Sequence, residues 1–323
     1  MNYVYMKCVY MLAFCIAVTV NATGDVSAAE ALPGTTLQIG AGGSDITTLD
    51  PHRATTSTDK PLIGLMFNGL VRFKPGSADP KDLEPDLAER WETSPDGRIW
   101  TFFIRKGVKF HGDWGSLTAD DVVYSLTRAA DPSRSSFAAD FSAVESIAKV
   151  DGSTVRITLK YPDPNFLGRL SNYHGGNIVC KRAVEELGDK FASNPVGTGP
   201  FAFSEHETQR HVKLVANEGY FRGRPQISNI MYRTIPSDSA RELDVIQGRR
   251  EQRWVDMTRQ RGNMVIDVFR PGEFRTLHIN SSIPPLDDLK VRQAIAAAVN
   301  LDDLVQFVGK TVSLKGCSVV PPG

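Results

Sequence analysis

The sequence has few cysteines and no excess charge of either sign. Its 323 residues include four cysteines, and 37 Lys plus Arg balance 37 Asp plus Glu. Balanced charge gives no electrostatic argument for nucleic acid or an anionic membrane as a partner. The lack of any Cys-x-x-Cys pair argues against the common zinc and redox motifs, and so few cysteines cannot form a disulfide scaffold. We therefore expect a hydrophobic core to hold the fold.

The sequence also lacks an apolar run of the length that spans a bilayer. The longest run, Cys8 to Val20, has 13 residues, follows Lys7 and precedes the Ala-rich segment Asp25 to Ala31. This order is typical of a secretory signal peptide, which we predict over residues 1–29, with the mature protein outside the cytoplasm. A retained membrane anchor is one alternative. Lipidation at Cys15 is another, although Phe14 is bulky where a lipoprotein processing site needs a small residue.

No catalytic or phosphate-binding motif is complete. The segment Gly197 to Gly199 reads GTG, but Pro200 follows at once and a strand-like pattern continues, so we predict a tight turn instead of a phosphate loop. His206 and His211 flank a predicted hairpin tip and are expected to be exposed to solvent. We predict a protein that is not an enzyme, without metal or cofactor. A secreted hydrolase is the alternative, since the order of triad residues differs between folds.

Hydrophobic periodicity predicts an α/β fold with a mixed sheet. A helix start is predicted at Thr118, with Asp121 at the position that completes a capping box. Two hairpins are predicted: one in Glu89–Phe110 with its turn at SPDG (Ser94 to Gly97), and one in Glu145–Tyr161 with a two-residue turn at Asp151 and Gly152. Further strands are predicted in Thr35–Gly43, Phe201–Phe221, Ile227–Ile235, Val265–Phe269 and Arg275–Ile279. Helices are predicted in Ser57–Leu70, Ser116–Asp131, Lys181–Phe191, Leu286–Asn300 and Leu301–Lys310.

Five ordered stretches carry a family resemblance. They are LDPHRAT (Leu49 to Thr55), Leu83 to His111, Leu117 to Pro132, NPVGTGPF (Asn194 to Phe201) and Pro285 to Asn300. Together they resemble family 5 of the extracytoplasmic solute-binding proteins of bacterial ABC importers, which take up oligopeptides, dipeptides and nickel chelates.

The resemblance implies a two-lobed periplasmic-binding-protein fold without catalytic activity. Residues 30–75 and 194–274 would form the first lobe, residues 76–193 an inserted subdomain, and residues 275–323 the hinge and the start of the second lobe. The ligand would be a peptide or similar small polar solute, with a nickel chelate as the alternative. A membrane-embedded ABC permease with cytoplasmic ATPase subunits would be the partner of a monomeric receptor.

The resemblance also implies which residues face the ligand, by their position in the fold. Residues at the end of the first strand, in the inserted subdomain and near the hinge would line the cleft. They are Gly42, Gly43, Ser44, Asp45, Tyr173, His174, Gln247, Arg249, Arg250, Thr276 and His278.

The sequence departs from the family pattern in two places. Ser239 to Trp254 is shorter than the family pattern, and the sequence stops at Val319 to Gly323, where the second lobe would begin. We therefore expect a truncated or frame-damaged member with a nearly complete first lobe and impaired ligand binding, because a cleft needs two walls.

Overall fold

The computed structural model describes residues 35–41, 45–77, 79–172, 175–235, 282–298, 300 and 303. The strands are β1 (Thr36–Ala41), β2 (Val71–Phe73), β3 (Leu83–Pro85), β4 (Ala88–Thr93), β5 (Ile99–Ile104), β6 (Val144–Asp151), β7 (Thr154–Leu159), β8 (Phe201–Glu207), β9 (His211–Ala216) and β10 (Asn229–Thr234). The helices are α1 (Lys60–Met66), α2 (Ala119–Ala130), α3 (Phe166–Arg169), α4 (Lys181–Leu187) and α5 (Leu289–Ala298). Short 3-10 turns occupy Pro80–Asp82, Ala138–Phe141 and Gly188–Ala192.

The first sheet is mixed, as the sequence predicts. Its strand order is β1-β10-β9-β8, with β1 parallel to β10 and the other neighbours antiparallel. Strands β1, β10 and β8 therefore run in the same direction. Their carboxyl ends meet at one edge of the sheet, and the tip of the β8–β9 hairpin lies at that same edge.

The second sheet, β4-β5-β7-β6, is antiparallel and contains both predicted hairpins. Gly97 takes a left-handed φ of 69° in the first turn, which glycine adopts readily. The second turn lies one residue later than predicted. Asp151 pairs with Thr154, and the Asp151 carboxylate accepts a hydrogen bond from the Ser153 backbone N–H at 2.8 Å.

Helix α2 begins where the capping box predicts. The backbone N–H and the hydroxyl of Thr118 both donate to Asp121 Oδ2, at 3.0 and 2.7 Å. Val122, Leu126 and Ala129 are fully buried on the face that packs toward β6 and β7. They belong to one hydrophobic core that includes residues of both four-stranded sheets.

Two predicted helices are shorter in the structure. Helix α1 ends at Met66 because the backbone after it bonds elsewhere: Asn68 O accepts from Ile178 N, and Leu70 N donates to Leu170 O. Helix α4 ends at Gly188, whose φ is 53°, and the chain continues as a 3-10 turn. Helix α5 lies within the predicted Leu286–Asn300 helix. The strands predicted near Val265 and Arg275, and most of the helix predicted at Leu301–Lys310, lie outside the described residues.

The tight turn predicted at GTG is wrong: Gly197 and Thr198 lie in an irregular segment without a turn, and the chain bends at Gly199 and Pro200 before β8 begins. The GTG segment packs against the end of α1. A Cβ atom on Gly197 would lie 2.1 Å from Met66 O, and one on Gly199 would lie 2.5 Å from Leu65 O. Thr198 Oγ1 donates to Asn68 Oδ1 at 3.0 Å. The glycines therefore allow two backbone segments to touch. Within the described ranges, no helix has the length and apolar character needed to cross a membrane.

We predict that Gly197→Ala lowers the free energy of unfolding by about 3 kcal/mol, because the new methyl group meets a backbone oxygen that cannot rotate away. Gly64→Ala is the matched control: a Cβ atom at Gly64 would have no neighbouring atom within 4 Å, and alanine in a helix is favoured by about 0.5–1 kcal/mol. Urea denaturation of both variants measures the difference. Equal midpoints would contradict the close approach at Gly197.

Candidate ligand-binding site

The carboxyl-terminal edge of the first sheet is the candidate ligand site. Ala41 and Thr234 end β1 and β10 side by side, and Ile235 N donates to Ala41 O at 2.9 Å. In open α/β sheets, ligands bind in the crevice beyond the carboxyl ends of the strands. We call this region, with the tip of the β8–β9 hairpin, the ligand edge.

Asp45 contacts the tip of the β8–β9 hairpin at the ligand edge. Its Oδ2 accepts a hydrogen bond from the Gln209 backbone N–H at 2.6 Å, and its Oδ1 accepts from Ile46 N at 2.9 Å. His206 Nε2 lies 3.6 Å from Oδ1. Burial by itself raises the pKa of the Asp45 carboxyl, but the two backbone donors and His206 outweigh it, so the pKa lies below its ordinary value. Asp45 is therefore a carboxylate at neutral pH.

The two histidines beside the hairpin tip do not meet. His206 pairs with Val212 across the strands, whereas His211 pairs with Glu207, so the two imidazoles lie on opposite faces of the sheet. His211 Nε2 lies 2.9 Å from Glu205 Oε1. The expectation of solvent-exposed histidines is wrong, because their side chains are only 21% and 17% exposed, packed against acidic partners. In the described part of the chain, no three His, Cys, Asp or Glu side chains are grouped to hold a metal ion.

Asp45 is the one predicted site residue that the structure describes. The others lie outside the described residues, so the structure does not bring them together or separate them. They are Gly42, Gly43, Ser44, Tyr173, His174, Gln247, Arg249, Arg250, Thr276 and His278.

Sequence reasoning missed a buried ionic cluster between α2 and the segment that follows Asp45. Arg128 on α2 donates to both oxygens of Asp50, from Nη1 at 2.9 Å and from Nη2 at 2.6 Å. Arg128 Nη1 also donates to His52 Nδ1 at 2.8 Å, and His52 Nε2 bonds to Asn177 O at 2.9 Å. The cluster joins the segment after β1 to the helix that packs on the second sheet.

The hydrogen bonds fix the protonation of His52. A guanidinium only donates, so His52 Nδ1 must accept, and the proton sits on Nε2 and is donated to the Asn177 carbonyl. His52 is fully buried. Burial, together with the Arg128 charge, lowers the pKa of His52 from 6.5 to about 4. The imidazole is therefore neutral at neutral pH.

One signal in the sequence points to this cluster. Asp121, Ser125 and Arg128 follow the helical spacing of the apolar face of α2, so a charged residue is directed toward the core. Charged residues are rarely buried without a partner. The residue that pairs with Arg128 is Asp50 in the LDPH segment, and the local spacing of residues in the sequence does not identify it.

A surface pocket of about 310 Å³ lies along α2, away from the ligand edge. Its charged lining carries both signs: Asp120, Arg128, Asp131, Arg134 and Lys181. Asp120 is already bound by Lys149 at 2.6 Å, and Asp131 Oδ2 lies 3.8 Å from Arg134 Nε. The pocket therefore favours no ligand charge, and the candidate site remains the ligand edge.

We predict a pH-dependent contribution of His52 to stability. The unfolded chain takes up a proton near pH 6.5 but the folded chain only near pH 4, so the contribution of neutral His52 is present above pH 6.5 and is lost as the pH falls toward 4. His52→Gln should be less stable than the wild type at pH 7. The difference in the free energy of unfolding between the wild type and His52→Gln should shrink by about 2 kcal/mol between pH 7 and pH 5. Urea unfolding at several pH values measures the gap, and a constant gap would contradict a neutral His52.

Comparison with known proteins identifies relatives over most of the chain. Residues 82–323 match the family model "Bacterial extracellular solute-binding proteins, family 5 Middle". Heme-binding protein A of Haemophilus influenzae is 30% identical over 284 residues, covering 80% of this chain and 51% of that protein. The dipeptide-binding protein of Escherichia coli K12 is 30% identical over 285 residues, which cover 80% of this chain and 52% of that protein.

A solved structure is more similar still. MoaA from A. tumefaciens R10, in complex with mannopinic acid, is 44% identical with a TM-score of 0.82, over 85% of this chain and 57% of that one. The chain spans about half the length of the curated relatives it matches. Its α/β architecture with a mixed sheet is part of the two-lobed periplasmic-binding-protein fold. The chain belongs to family 5 of the bacterial extracellular solute-binding proteins.

Proposed function

We propose that the protein is the solute receptor of a bacterial ABC importer and captures a small polar solute outside the cytoplasm. The observation that carries this proposal is the ligand edge, where the carboxyl ends of β1, β8 and β10 meet. Family membership supports it, because the family consists of solute-binding proteins. The receptor performs no chemistry on its ligand.

The proposed lobes follow the two four-stranded sheets. Strand β1 shares a sheet with β8–β10, although β2–β7 lie between them in sequence. This supports a first lobe made of residues 30–75 and 194–274, interrupted by a subdomain of residues 76–193. Residues 275–323 would contain the hinge and the beginning of the second lobe, and closure of the lobes over ligand would be a hinge motion.

The first candidate ligand is an acidic solute of the mannopinic acid type. The proposal rests on the 44% identity to the MoaA structure that contains it. A dipeptide is the second candidate, supported by the 30% identity to the dipeptide-binding protein. A nickel chelate remains the alternative from sequence resemblance.

The ligand contacts, location and partners belong to the same proposal. Asp45 lies at the ligand edge, which supports a role for the segment after β1. Ligand contact by the other predicted cleft residues stays a prediction. A signal peptide over residues 1–29 would deliver a monomer to the periplasm, where a permease with cytoplasmic ATPase subunits would receive the solute.

Isothermal titration calorimetry of the purified 323-residue protein tests the ligand class. We expect mannopinic acid to bind at least about tenfold more tightly than alanyl-alanine or a nickel–histidine chelate, a difference of about 1.4 kcal/mol. The reverse order would favour a peptide or chelate receptor. Impaired binding would still give heat at millimolar ligand, so no heat with any of the three at that concentration would contradict the proposed function.

The same samples test the remaining expectations. A Kd tighter than about 1 µM would contradict impaired binding. Mass spectrometry after prolonged incubation should recover each probe unchanged. Cleaved products would instead support the secreted hydrolase.

A further inference from the structure

We propose that Asp45 and Gln209 are positioning residues that fix the segment after β1 against the β8–β9 hairpin tip. This inference rests on the proposed function, since the segment so fixed borders the ligand edge. We call Asp45, His206 and Gln209 the edge latch. The latch would act on ligand affinity through the position of the segment, without requiring any of its three side chains to touch the ligand.

The first observation is that Asp45 contacts a hairpin that is not adjacent to β1 in the sheet. Ala41 ends β1 at one side of the sheet, whereas Gln209 lies in the turn between β9 and β8 at the other. Asp45 is four residues beyond Ala41, yet its Oδ2 accepts from Gln209 N at 2.6 Å. The carboxylate therefore ties the segment from residue 45 to residue 50 to a hairpin that lies on the other side of β10 from β1.

The second observation is the backbone of Gln209. Its φ is 61°, and it is the one non-glycine residue with positive φ in the described part of the chain. Left-handed conformations are unfavourable for residues with a side chain and tend to occur where surrounding contacts enforce them. A charge-assisted hydrogen bond from its N–H to Asp45 is such a contact.

The third observation is the position of His206, whose side chain also lies next to the Asp45 carboxylate. Its Nε2 is buried and has no hydrogen-bond partner among the described residues. It lies 3.6 Å from Asp45 Oδ1, within ion-pair range but beyond a hydrogen bond. The second carboxylate oxygen of Asp45 thus faces a polar ring atom of the hairpin, so both of its oxygens are directed into the protein.

The fourth observation is how the chain continues after Asp45. Thr47 N donates to Asp59 Oδ1 at 2.9 Å, Leu49 N donates to Ala192 O at 2.9 Å, and Asp50 is bound by Arg128. The segment from residue 45 to residue 50 is therefore held at several points. Asp45 is the first of them in sequence, and the only one of them that reaches the hairpin tip.

Amide hydrogen exchange of the free protein tests the latch without any ligand. In Asp45→Ala, the Thr47 amide should exchange about tenfold faster, although its own acceptor, Asp59, is unchanged. Faster exchange there reports a loosened segment and not the loss of an acceptor. Gln209→Gly keeps the N–H donor and suits the positive φ, so Thr47 should exchange at the wild-type rate in that variant.

The matched control is Asp151→Ala, which also removes a carboxylate that accepts a backbone N–H in a hairpin turn, but in the second sheet. It should leave Thr47 exchange unchanged. Unchanged exchange at Thr47 in Asp45→Ala would overturn the latch.

Calorimetric titration with mannopinic acid then separates the latch from the proposed function. If the wild type binds, Asp45→Ala should bind at least about tenfold more weakly, whereas Gln209→Gly and Asp151→Ala should match the wild type. Equal binding by Asp45→Ala would overturn the latch's role in affinity and leave the proposed function intact. If the wild type binds neither mannopinic acid, alanyl-alanine nor the nickel–histidine chelate, the proposed function fails, and the role in affinity fails with it, whatever the exchange data show.

Discussion

The ion pair between Arg128 and Asp50 is the contact on which the arrangement of the two four-stranded sheets most depends. Asp50 follows the first strand of one sheet, and Arg128 lies on the helix that packs against the other. Both side chains are at least 92% buried. Removing one partner of such a pair leaves an uncompensated charge in the core, which typically costs about 3–5 kcal/mol. The neutral His52 completes the cluster because it accepts from the guanidinium without adding a second positive charge.

A second contact between distant segments uses a buried histidine in the same way. Gly197 N donates to His111 Nδ1 at 3.4 Å, so His111 Nε2 carries the proton that it donates to Gly199 O at 3.0 Å. Burial lowers the pKa of His111, as it does for His52. In each case a neutral imidazole accepts on one side and donates on the other, so it satisfies polar groups from two chain segments that meet in the core. The imidazole is suited to this role because its two nitrogens point in different directions.

The parts of the fold that were predictable are those whose cause is local in sequence. The hairpins follow from alternation and turn residues, and the start of α2 follows from Thr118 and Asp121. The Asp50–Arg128 pair joins residues 78 positions apart, and no local pattern names such a partner. The same limit explains the error over His206, whose imidazole packs near Asp45 outside the hairpin. His211 instead packs against Glu205 of its own hairpin, a cross-strand contact that depends on the strand register. For the site, the family resemblance named Asp45 by its place after the first strand, and its contact with a ligand stays a prediction. Nothing local in the sequence indicated that its carboxylate is bound by the hairpin backbone.

The polar contacts bear on the hinge motion proposed above. Domain closure over a ligand requires each lobe to move as a rigid body, with the change confined to the hinge. Asn68 adds a further tie between segments, because it accepts from Thr198 in the GTG segment and donates to the buried Asp86 at 2.9 Å. Arg222 Nε donates to the same carboxylate at 3.1 Å. Buried hydrogen bonds of this kind are costly to break singly, so they oppose sliding of one sheet past the other. The proposed edge latch uses none of these hydrogen bonds, so its strength can change without breaking them.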